Sequence, residues 1–427
     1  MVTFLPSRPG RLADVPSFDR AIGGAESNVA CALAAFGHTA RWVSRVGADG
    51  FGDHLVERIA AHGVDVSSVR RDPARPTGVY FRTAADRATG AHEVAYYRAG
   101  SAASAMSTAN VDLAAVRAGR VLHLSGITAA LSRECRALLH DLTAPRPGRP
   151  LVSFDVNHRP GLWQGADGGA ALLELARSAD LVFVGEDEAE EAWGVTGGPD
   201  AVRRLLPEPA VLVVKQGARG ATAFERTDAV PALADGGTPA RGRAAVGAGA
   251  GPDRADGDPR SPGRQTVGVG PAGTDRAPRR PGRAGVAVGA GPVGAEGDPQ
   301  PPGGAGVGVG VHPAGAEGGP SAPGREGIPP GTFEPAPTVD VVATVGAGDA
   351  FAAGFLSGTL RGLPLRERLR HGHLVAAATL TAPGDLAPPP ARDHADRLAA
   401  LDDEAWGRLR LGPGWTQAGA EKEAITP

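Results

Sequence analysis

Apolar and polar positions change their rhythm along this chain, and each rhythm predicts a different element. Between Arg120 and Lys215 four short runs are almost wholly apolar: Val121-Leu-His-Leu124, Leu151-Val-Ser-Phe154, Leu181-Val-Phe-Val184 and Val211-Leu-Val-Val214. Helical stretches separate them. Short apolar strands alternating with helices predict a parallel sheet covered on both faces, with ligands bound at the carboxyl ends of its strands. Polar residues gather at those ends: Ser125-Gly126, Asp155-Val-Asn157-His-Arg159, Glu186-Asp-Glu188 and Lys215-Gln-Gly-Ala-Arg-Gly220. Between Thr77 and Ser101 the period falls to about two. Thr77-Gly-Val-Tyr-Phe-Arg82, a polar turn around Asp86 to Gly90, and Glu93-Val-Ala-Tyr-Tyr-Arg98 predict a hairpin.

The ends of the chain add further elements. Val2, Phe4 and Leu5 read as the tail of a strand, and an apolar helical run leads to Phe36-Gly37. Arg41-Trp-Val-Ser-Arg-Val-Gly47 reads as a strand, and Asp49-Gly-Phe-Gly-Asp53 as the turn opening a helix. Near the C-terminus, alternating β-branched residues from Val339 run into Gly346-Ala347-Gly348, followed by a small-residue helix through Phe351, Phe355 and Leu360. A strand is expected to become a helix across that glycine turn. The helix Arg366 to Thr381 is stopped by Ala382-Pro-Gly-Asp385, Asp393 to Leu401 reads as a last surface helix, and residues after about 410 as a loose tail.

Candidate chemistry follows from these placements. Two glycines before a helix leave its first N–H groups uncovered, which makes an anion hole for phosphate. Asp349, in the first helical turn, either caps that helix or takes a proton from a hydroxyl that attacks a phosphoryl group. Ser27 or Asn28 either caps the first helix or serves a ligand that approaches Gly23-Gly24. Tyr80, Tyr96 and Tyr97, the chain's 3 tyrosines, all fall in the hairpin. Cross-strand aromatic packing accounts for them as well as ligand contact does. His158 reads as a hydrogen-bonded loop imidazole, and Glu186-Asp-Glu-Ala-Glu-Glu191 as a solvated helix start favoured by the helix dipole.

Composition narrows the picture. Of 427 residues 42% are hydrophobic, enough for one large α/β domain, but 63 Gly and 38 Pro show that part of the chain is not packed core. Residues 236–330 hold 27 of those Gly and 16 of the Pro, without a single Leu, Phe, Trp or Tyr, and repeat about every 21 residues from Gly242 through Gly263, Gly282 and Gly303 to Gly324. Such material cannot offset the entropy of ordering itself and is expected to be a disordered insert between Phe224–Asp235 and Thr332-Phe-Glu-Pro335, two sides of a surface hairpin. The net charge of −3, without a polybasic run, gives no case for nucleic acid or a membrane. Cys31 and Cys135 have no metal-type spacing. No apolar run reaches about 18 residues, so a soluble, cytoplasmic protein is expected.

Gly346-Ala347-Gly348-Asp349, continued by Ala-Phe-Ala-Ala-Gly-Phe, resembles the C-terminal signature of the ribokinase-like (PfkB) sugar kinases. Gly23-Gly-Ala-Glu-Ser-Asn28 resembles their sugar-site signature, and Asp155-Val-Asn-His-Arg-Pro-Gly-Leu-Trp163 their Asp-x-Asn-x-Arg segment. The resemblance covers residues 1–235 and 331–400 and implies an α/β parallel-sheet sandwich with a small β lid near 12–22 and 77–100, the insert 236–330, and a tail 401–427. It implies that Asp349 is the catalytic base and that Gly346, Ala347 and Gly348 form the anion hole. Substrate would meet Gly24, Asn28, Tyr80, Tyr96, Tyr97, Arg98, Arg159 and Asp385. ATP would meet Asn157, Lys215, Gly217, Gly220, Gly346 and Gly348, and Glu188 would take part in binding Mg²⁺. Two positions depart from the family: Ala343 and Gly185 stand where Asp and Asn are usual.

Tyr96-Tyr97-Arg98-Ala-Gly-Ser-Ala resembles the lid of 2-keto-3-deoxygluconate kinases, where such residues hold the substrate's carboxylate and keto end. The reaction implied is ATP-dependent phosphorylation of that sugar acid's terminal hydroxyl, with fructose or another sugar as the alternative. A catalytically inactive sugar sensor or assembly protein is the reading from another class. The implied partners are a sugar acid and ATP, with no nucleic acid or membrane and with room for a homo-oligomer. In those kinases a first core strand ends in Gly-Glu shortly before an apolar stretch like Val2–Leu5, so Met1 is expected to be an internal methionine.

Overall fold

The computed structural model describes residues 1–83, 94–163, 167–226 and 330–417. Its first elements are β1 (Val2–Pro6), β2 (Phe18–Ile22), α1 (Ala25–Ala35), β3 (Arg45–Gly47), α2 (Gly50–Ala61), β4 (Arg70–Asp72), β5 (Val79–Arg82) and β6 (Val94–Tyr97). Then come α3 (Leu113–Arg117), β7 (Val121–Ser125), α4 (Gly126–Leu131), α5 (Arg133–Thr143), β8 (Leu151–Asp155), α6 (Gly168–Ser178), β9 (Leu181–Gly185), α7 (Glu186–Trp193), α8 (Gly198–Leu205) and β10 (Val211–Lys215). The chain continues through β11 (Gly220–Glu225), β12 (Thr332–Pro335), β13 (Thr338–Val339), α9 (Ala347–Leu360), α10 (Leu365–Leu380), α11 (Arg392–Ala399), α12 (Asp403–Gly407) and β14 (Arg410–Leu411).

The central sheet has the order β12-β11-β10-β9-β8-β7. Strands β7 to β10 run parallel, while β11 and β12 join as antiparallel neighbours. Alternation inside each strand splits the core between the two faces. Val182 and Val184 of β9, with Leu212 and Val214 of β10, pack on the side of Leu139, Leu172 and Leu175. Leu181, Phe183, Val211 and Val213 pack on the other side against Phe351, Phe355 and Leu356 of α9. Strands β8, β9 and β10 are therefore buried on both faces, which is why each reads as a nearly unbroken apolar run. Phe183 meets Phe355 edge to face, with ring centroids 5.5 Å apart.

The second sheet is the lid, in the order β2-β1-β5-β6. The expected hairpin is present as β5 and β6, with Tyr80 opposite Tyr96. Its polar turn, Asp86 to Gly90, lies outside the described residues, as does the expected insert through residue 329. Val2–Pro6 also belongs to this sheet, parallel to β5 and antiparallel to β2. Thr332–Pro335 does pair antiparallel with the chain before the insert, but with Gly220–Ala223 and not with the expected flank Phe224–Asp235, whose residues from 227 on lie outside the described residues.

Three expectations need correction. The β-branched run before Gly346 yields only β13; Val341 and Val342 are 58% and 49% exposed. Instead of joining a strand, the amides of Val342 and Ala343 both donate to the carbonyl of Leu380, at 2.7 and 3.2 Å. Arg41–Gly47 is a strand only at β3, with a single bridge from Arg41 to Asp65. The segment after 410 is not loose as far as residue 417: β14 pairs with β13, and Leu411 and Trp415 are buried against Leu374 and Trp406. Among the described residues no helix is long and apolar enough to cross a membrane.

Candidate active site

Four structural segments converge at the carboxyl end of the parallel strands, on a cavity of about 1040 Å³ that also runs along β7 to Arg120 and Leu360. Its floor is the start of α9. Gly346 has φ +84°, and a Cβ there would collide with the carbonyl oxygen of Asp385, so only glycine closes this turn. No side chain caps α9, which leaves the amides of its first turn without a side-chain acceptor, as an anion-binding helix start requires. Asp349 does not act as the cap. Its Oδ2 accepts a hydrogen bond from Asn28 Nδ2 at 2.9 Å.

Neither Ser27 nor Asn28 caps α1, whose N-terminus is Gly24 at φ 149° without a side-chain cap. Ser27 instead donates to the Gly24 carbonyl at 3.0 Å, and the backbone N–H of Asn28 donates to the same oxygen at 2.8 Å. Asn28 thus stands one turn inside α1 and reaches α9. Its Oδ1 is buried without a partner among the described residues, as is Asn157 Oδ1. Unpaired buried acceptors that line a cavity are expected where a ligand supplies the missing donor. Asn157 also has φ +41°, a left-handed backbone outside glycine.

The lid contributes Tyr80, Tyr96 and Arg98 to the wall. Arg98 is 8% exposed, its guanidinium lies 4.2 Å from the Tyr96 ring centroid, and its Nε has no partner among the described residues. Burial pulls its pKa down. Tyr80 donates its hydroxyl to Asp385 Oδ2, and Arg82 pairs with Asp385 Oδ1 at 3.0 Å. Asp385 therefore ties the lid to the loop after α10. Burial raises the pKa of Asp385 against the opposing pull of Arg82.

At the strand ends, Lys215 Nζ lies 3.1 and 3.2 Å from the two carboxylate oxygens of Asp155. Glu188 Oε2 accepts from the Gly185 N–H at 2.8 Å, and its Oε1 lies 3.3 Å from Arg159. His158 is a buried loop imidazole, but not the hydrogen-bonded one expected: its Nδ1 lies 3.4 Å from Glu191 and has no hydrogen-bond partner among the described residues. Burial pushes Asp349 up to about 7, with Asp155 and Glu26 adding to the shift and Asn28 and Lys215 opposing it. A carboxylate with that pKa can hold and release a proton near neutrality.

The cavity gathers Gly24, Asn28, Tyr80, Tyr96, Arg98, Asn157, Arg159, Glu188, Lys215, Gly346, Gly348, Asp349 and Asp385 from the sequence reading. Four others stand apart from its wall. Tyr97 follows Tyr96 on a strand, so it faces the opposite way, edge-on to Phe81 and 65% exposed. Ala347 offers only backbone. Gly217 and Gly220 shape the turn from β10 to β11, where a Cβ on Gly220 would collide with the carbonyl of Glu334. Sequence reasoning assigned no role to Asp155, Glu26 or Arg82. The signal for Asp155 was present: a carboxylate closing a strand that is buried at every position.

The chain belongs to the pfkB family of carbohydrate kinases, whose model matches residues 2–236 and 331–392. It is 34% identical over 219 residues to a 2-dehydro-3-deoxygluconokinase of Thermoproteus tenax, an alignment covering 51% of this chain and 66% of that protein. To the 2-dehydro-3-deoxygluconokinase of Bacillus subtilis it is 35% identical over 225 residues, covering 52% and 69%. To fructokinase-1 of Oryza sativa it is 32% identical over 231 residues, covering 53% and 71%. These alignments span about two thirds of the relatives' lengths. The crystal structure of a PfkB protein from Polaromonas sp. JS666 superposes with a TM-score of 0.60 at 25% identity, covering 94% of this chain and 97% of that one.

Proposed function

We propose that the protein transfers the γ-phosphoryl group of ATP to the terminal hydroxyl of 2-keto-3-deoxygluconate. The observation that carries the choice of an acid is Arg98, a buried guanidinium with no carboxylate paired to it among the described residues. A buried cation without a counter-ion is costly, and a substrate carboxylate that accepts two parallel hydrogen bonds removes the cost. Tyr80 and Tyr96 would flank the sugar, Arg159 its carboxylate or keto end, and Asn28 and Gly24 its hydroxyls. The 216–220 turn and Asn157 would meet the nucleotide.

In this reading the acceptor hydroxyl lies against Asp349, which takes its proton as the O–P bond forms. The uncapped amides of Gly346 to Gly348 hold the oxygens of the moving phosphoryl group. Lid closure keeps out the water that would otherwise hydrolyse ATP. Magnesium carried by ATP keeps most of its waters and needs only one or two carboxylates. Glu188 can offer one, although no group of three or more acidic, His or Cys side chains is placed to hold a metal among the described residues. Bound there, the ion would neutralise phosphate charge.

A fructokinase is the second reading, supported by the rice relative. A neutral ketose would leave Arg98 unpaired. A coupled assay of ADP release over 2-keto-3-deoxygluconate, its galactose-derived epimer, fructose and ribose decides between them. The sugar acids should lead fructose in kcat/KM by a factor on the order of 10² or more, because a site built for a charged group rejects a ligand that lacks it. Equal or better turnover of fructose overturns the acid reading.

A further inference from the structure

The geometry points to Lys215 as a catalytic residue that holds the transferring phosphoryl group, with Asp155 as the side chain that positions it. Asp155 closes β8 and Lys215 closes β10, and β9 lies between them. In the register Lys215 stands opposite Gly185, the last residue of β9, which has no side chain to block a bridge across the sheet. The ammonium crosses that gap to both oxygens of Asp155. It also lies 3.6 Å from the point a Cβ on Gly348 would occupy, so it stands beside the uncapped first turn of α9. Both side chains line the cavity, at 19% and 3% exposure.

A buried ion pair placed only for stability is poorly chosen, because two apolar side chains of the same size usually serve as well or better. This pair is not sealed in the core. An ammonium carries three hydrogens, and among the described residues only Asp155 accepts from Lys215. The spare hydrogens open on the cavity next to Gly348. The cations nearest to it have different duties: Arg98 belongs to the lid, Arg82 is paired with Asp385, and Arg159 with Glu188.

This inference rests on the kinase reading above. A phosphoryl group moving towards a hydroxyl at Asp349 has the α9 amides on one side and Lys215 on the other. The acceptor O–P bond forms, the bond from phosphorus to the ADP oxygen breaks, and the hydroxyl proton passes to Asp349. Lys215 keeps its proton throughout and donates hydrogen bonds to non-bridging oxygens, where charge is concentrated in the transition state. Asp155 keeps the ammonium protonated and fixes its direction.

Lys215→Met, Lys215→Arg, Asp155→Asn and Asp349→Asn are compared in steady-state assays, using the acceptor on which the wild type is most active. Calorimetry with ADP and with that acceptor measures ground-state binding. Lys215→Met should lose kcat by a factor on the order of 10²–10³, with both KM values and the Kd for ADP within about threefold. Lys215→Arg should recover at least about tenfold of that loss, and Asp155→Asn should lose about tenfold. A folded Lys215→Met enzyme with kcat within about threefold of wild type overturns the assignment. So does a loss carried by weaker ADP binding, which would make the lysine a nucleotide contact. If Lys215→Met does not fold, Lys215→Gln is judged by the same separation of kcat from binding. An Asp349→Asn enzyme with full activity would instead overturn the placing of the acceptor hydroxyl against Asp349, on which this inference rests, whatever Lys215 does.

Discussion

Asn28 Nδ2 donates to Asp349 Oδ2 at 2.9 Å, joining residues 321 positions apart in the chain. The bond stabilises the ionised carboxylate and so works against the burial that lifts its pKa to about 7. Removing it should lift the pKa further. Asn28→Ala is expected to raise the apparent pKa of the acid limb of kcat/KM by about half a unit to one unit. At pH 7 the rate should fall by about two- to fivefold, with recovery above pH 8, because a larger share of Asp349 is then ionised. A pH–rate profile that overlays the wild type's would show that the bond does not set the ionisation of Asp349.

Asp349→Asn tests the base directly and should lose phosphoryl transfer by a factor on the order of 10²–10⁴. It carries a second signature in stability. The folded-state pKa is raised, from 3.8 to about 7. The folded protein therefore binds the proton more tightly than the unfolded chain, and stability is lost as pH rises through about 7. Asparagine has no such loss. The mutant's Tm should exceed the wild type's by about 2–4 °C more at pH 8 than at pH 5. A pH-independent difference would place Asp349 in an unperturbed environment.

Much of this site was legible because the carboxyl ends of parallel strands collect ligands whatever the fold's details. Asp155, Asn157, Glu188 and Lys215 all follow apolar runs, and all line the cavity. The pairs that make them a site were not legible. Nothing local says that Asn28 bonds Asp349, or that Arg82 rather than a substrate group meets Asp385, since each pair joins distant segments. The failures were failures of local pattern. Val339 to Val345 has the composition of a strand, but backbone bonds to Leu380 hold it as a loop. After residue 410, glycine and proline suggested a tail, while Leu411 and Trp415 had a waiting cluster around Trp406. Tyr96 and Tyr97 were counted together, although neighbours on a strand cannot face the same side.

Arg98→Met keeps most of the apolar stem and removes the charge. With a sugar-acid substrate its KM should rise by a factor on the order of 10²–10³, the loss expected for a charge-assisted hydrogen-bonded pair. Turnover of a neutral sugar, however weak in the wild type, should change little. Equal losses for acid and neutral substrates would show that Arg98 maintains the lid and not the carboxylate site.

Deleting residues 240–328 should leave turnover and Tm nearly unchanged. The family match stops at 236 and resumes at 331, and β11 and β12 meet in a regular antiparallel register on either side of the span. A short replacement loop closes the same hairpin, and closure entropy depends only weakly on length. Loss of soluble enzyme, or a fall in kcat of tenfold or more, would assign the span a part in the fold or the site.

Stability should depend strongly on Arg370, far from the chemistry. Its Nε lies 2.9 Å from Glu334 Oε2 in β12, and both side chains are 3% exposed. The same guanidinium donates to the carbonyl of Ala399 at the end of α11 at 3.0 Å, and to that of Leu401. It pairs with Asp403 at 3.1 Å and lies 4.7 Å from the Trp406 ring centroid. One side chain thus satisfies a buried carboxylate and two carbonyls drawn from three segments. Arg370→Met leaves the carbonyls without this donor and Glu334 with Arg366 alone, 2.5 Å away; breaking a buried pair in this way costs about 3–5 kcal/mol. Glu334→Leu alone should cost a similar amount, by leaving Arg370 without its buried counter-ion and with only the exposed Asp403. The double substitution removes both charges together, so its loss should fall short of the sum of the two single losses by at least about 1 kcal/mol. Urea unfolding of the four proteins measures this cycle. Their kcat per folded molecule should stay equal, because neither residue lines the cavity. Strict additivity would mean that Arg370 acts through its carbonyl and Trp406 contacts, with Glu334 satisfied by Arg366 alone.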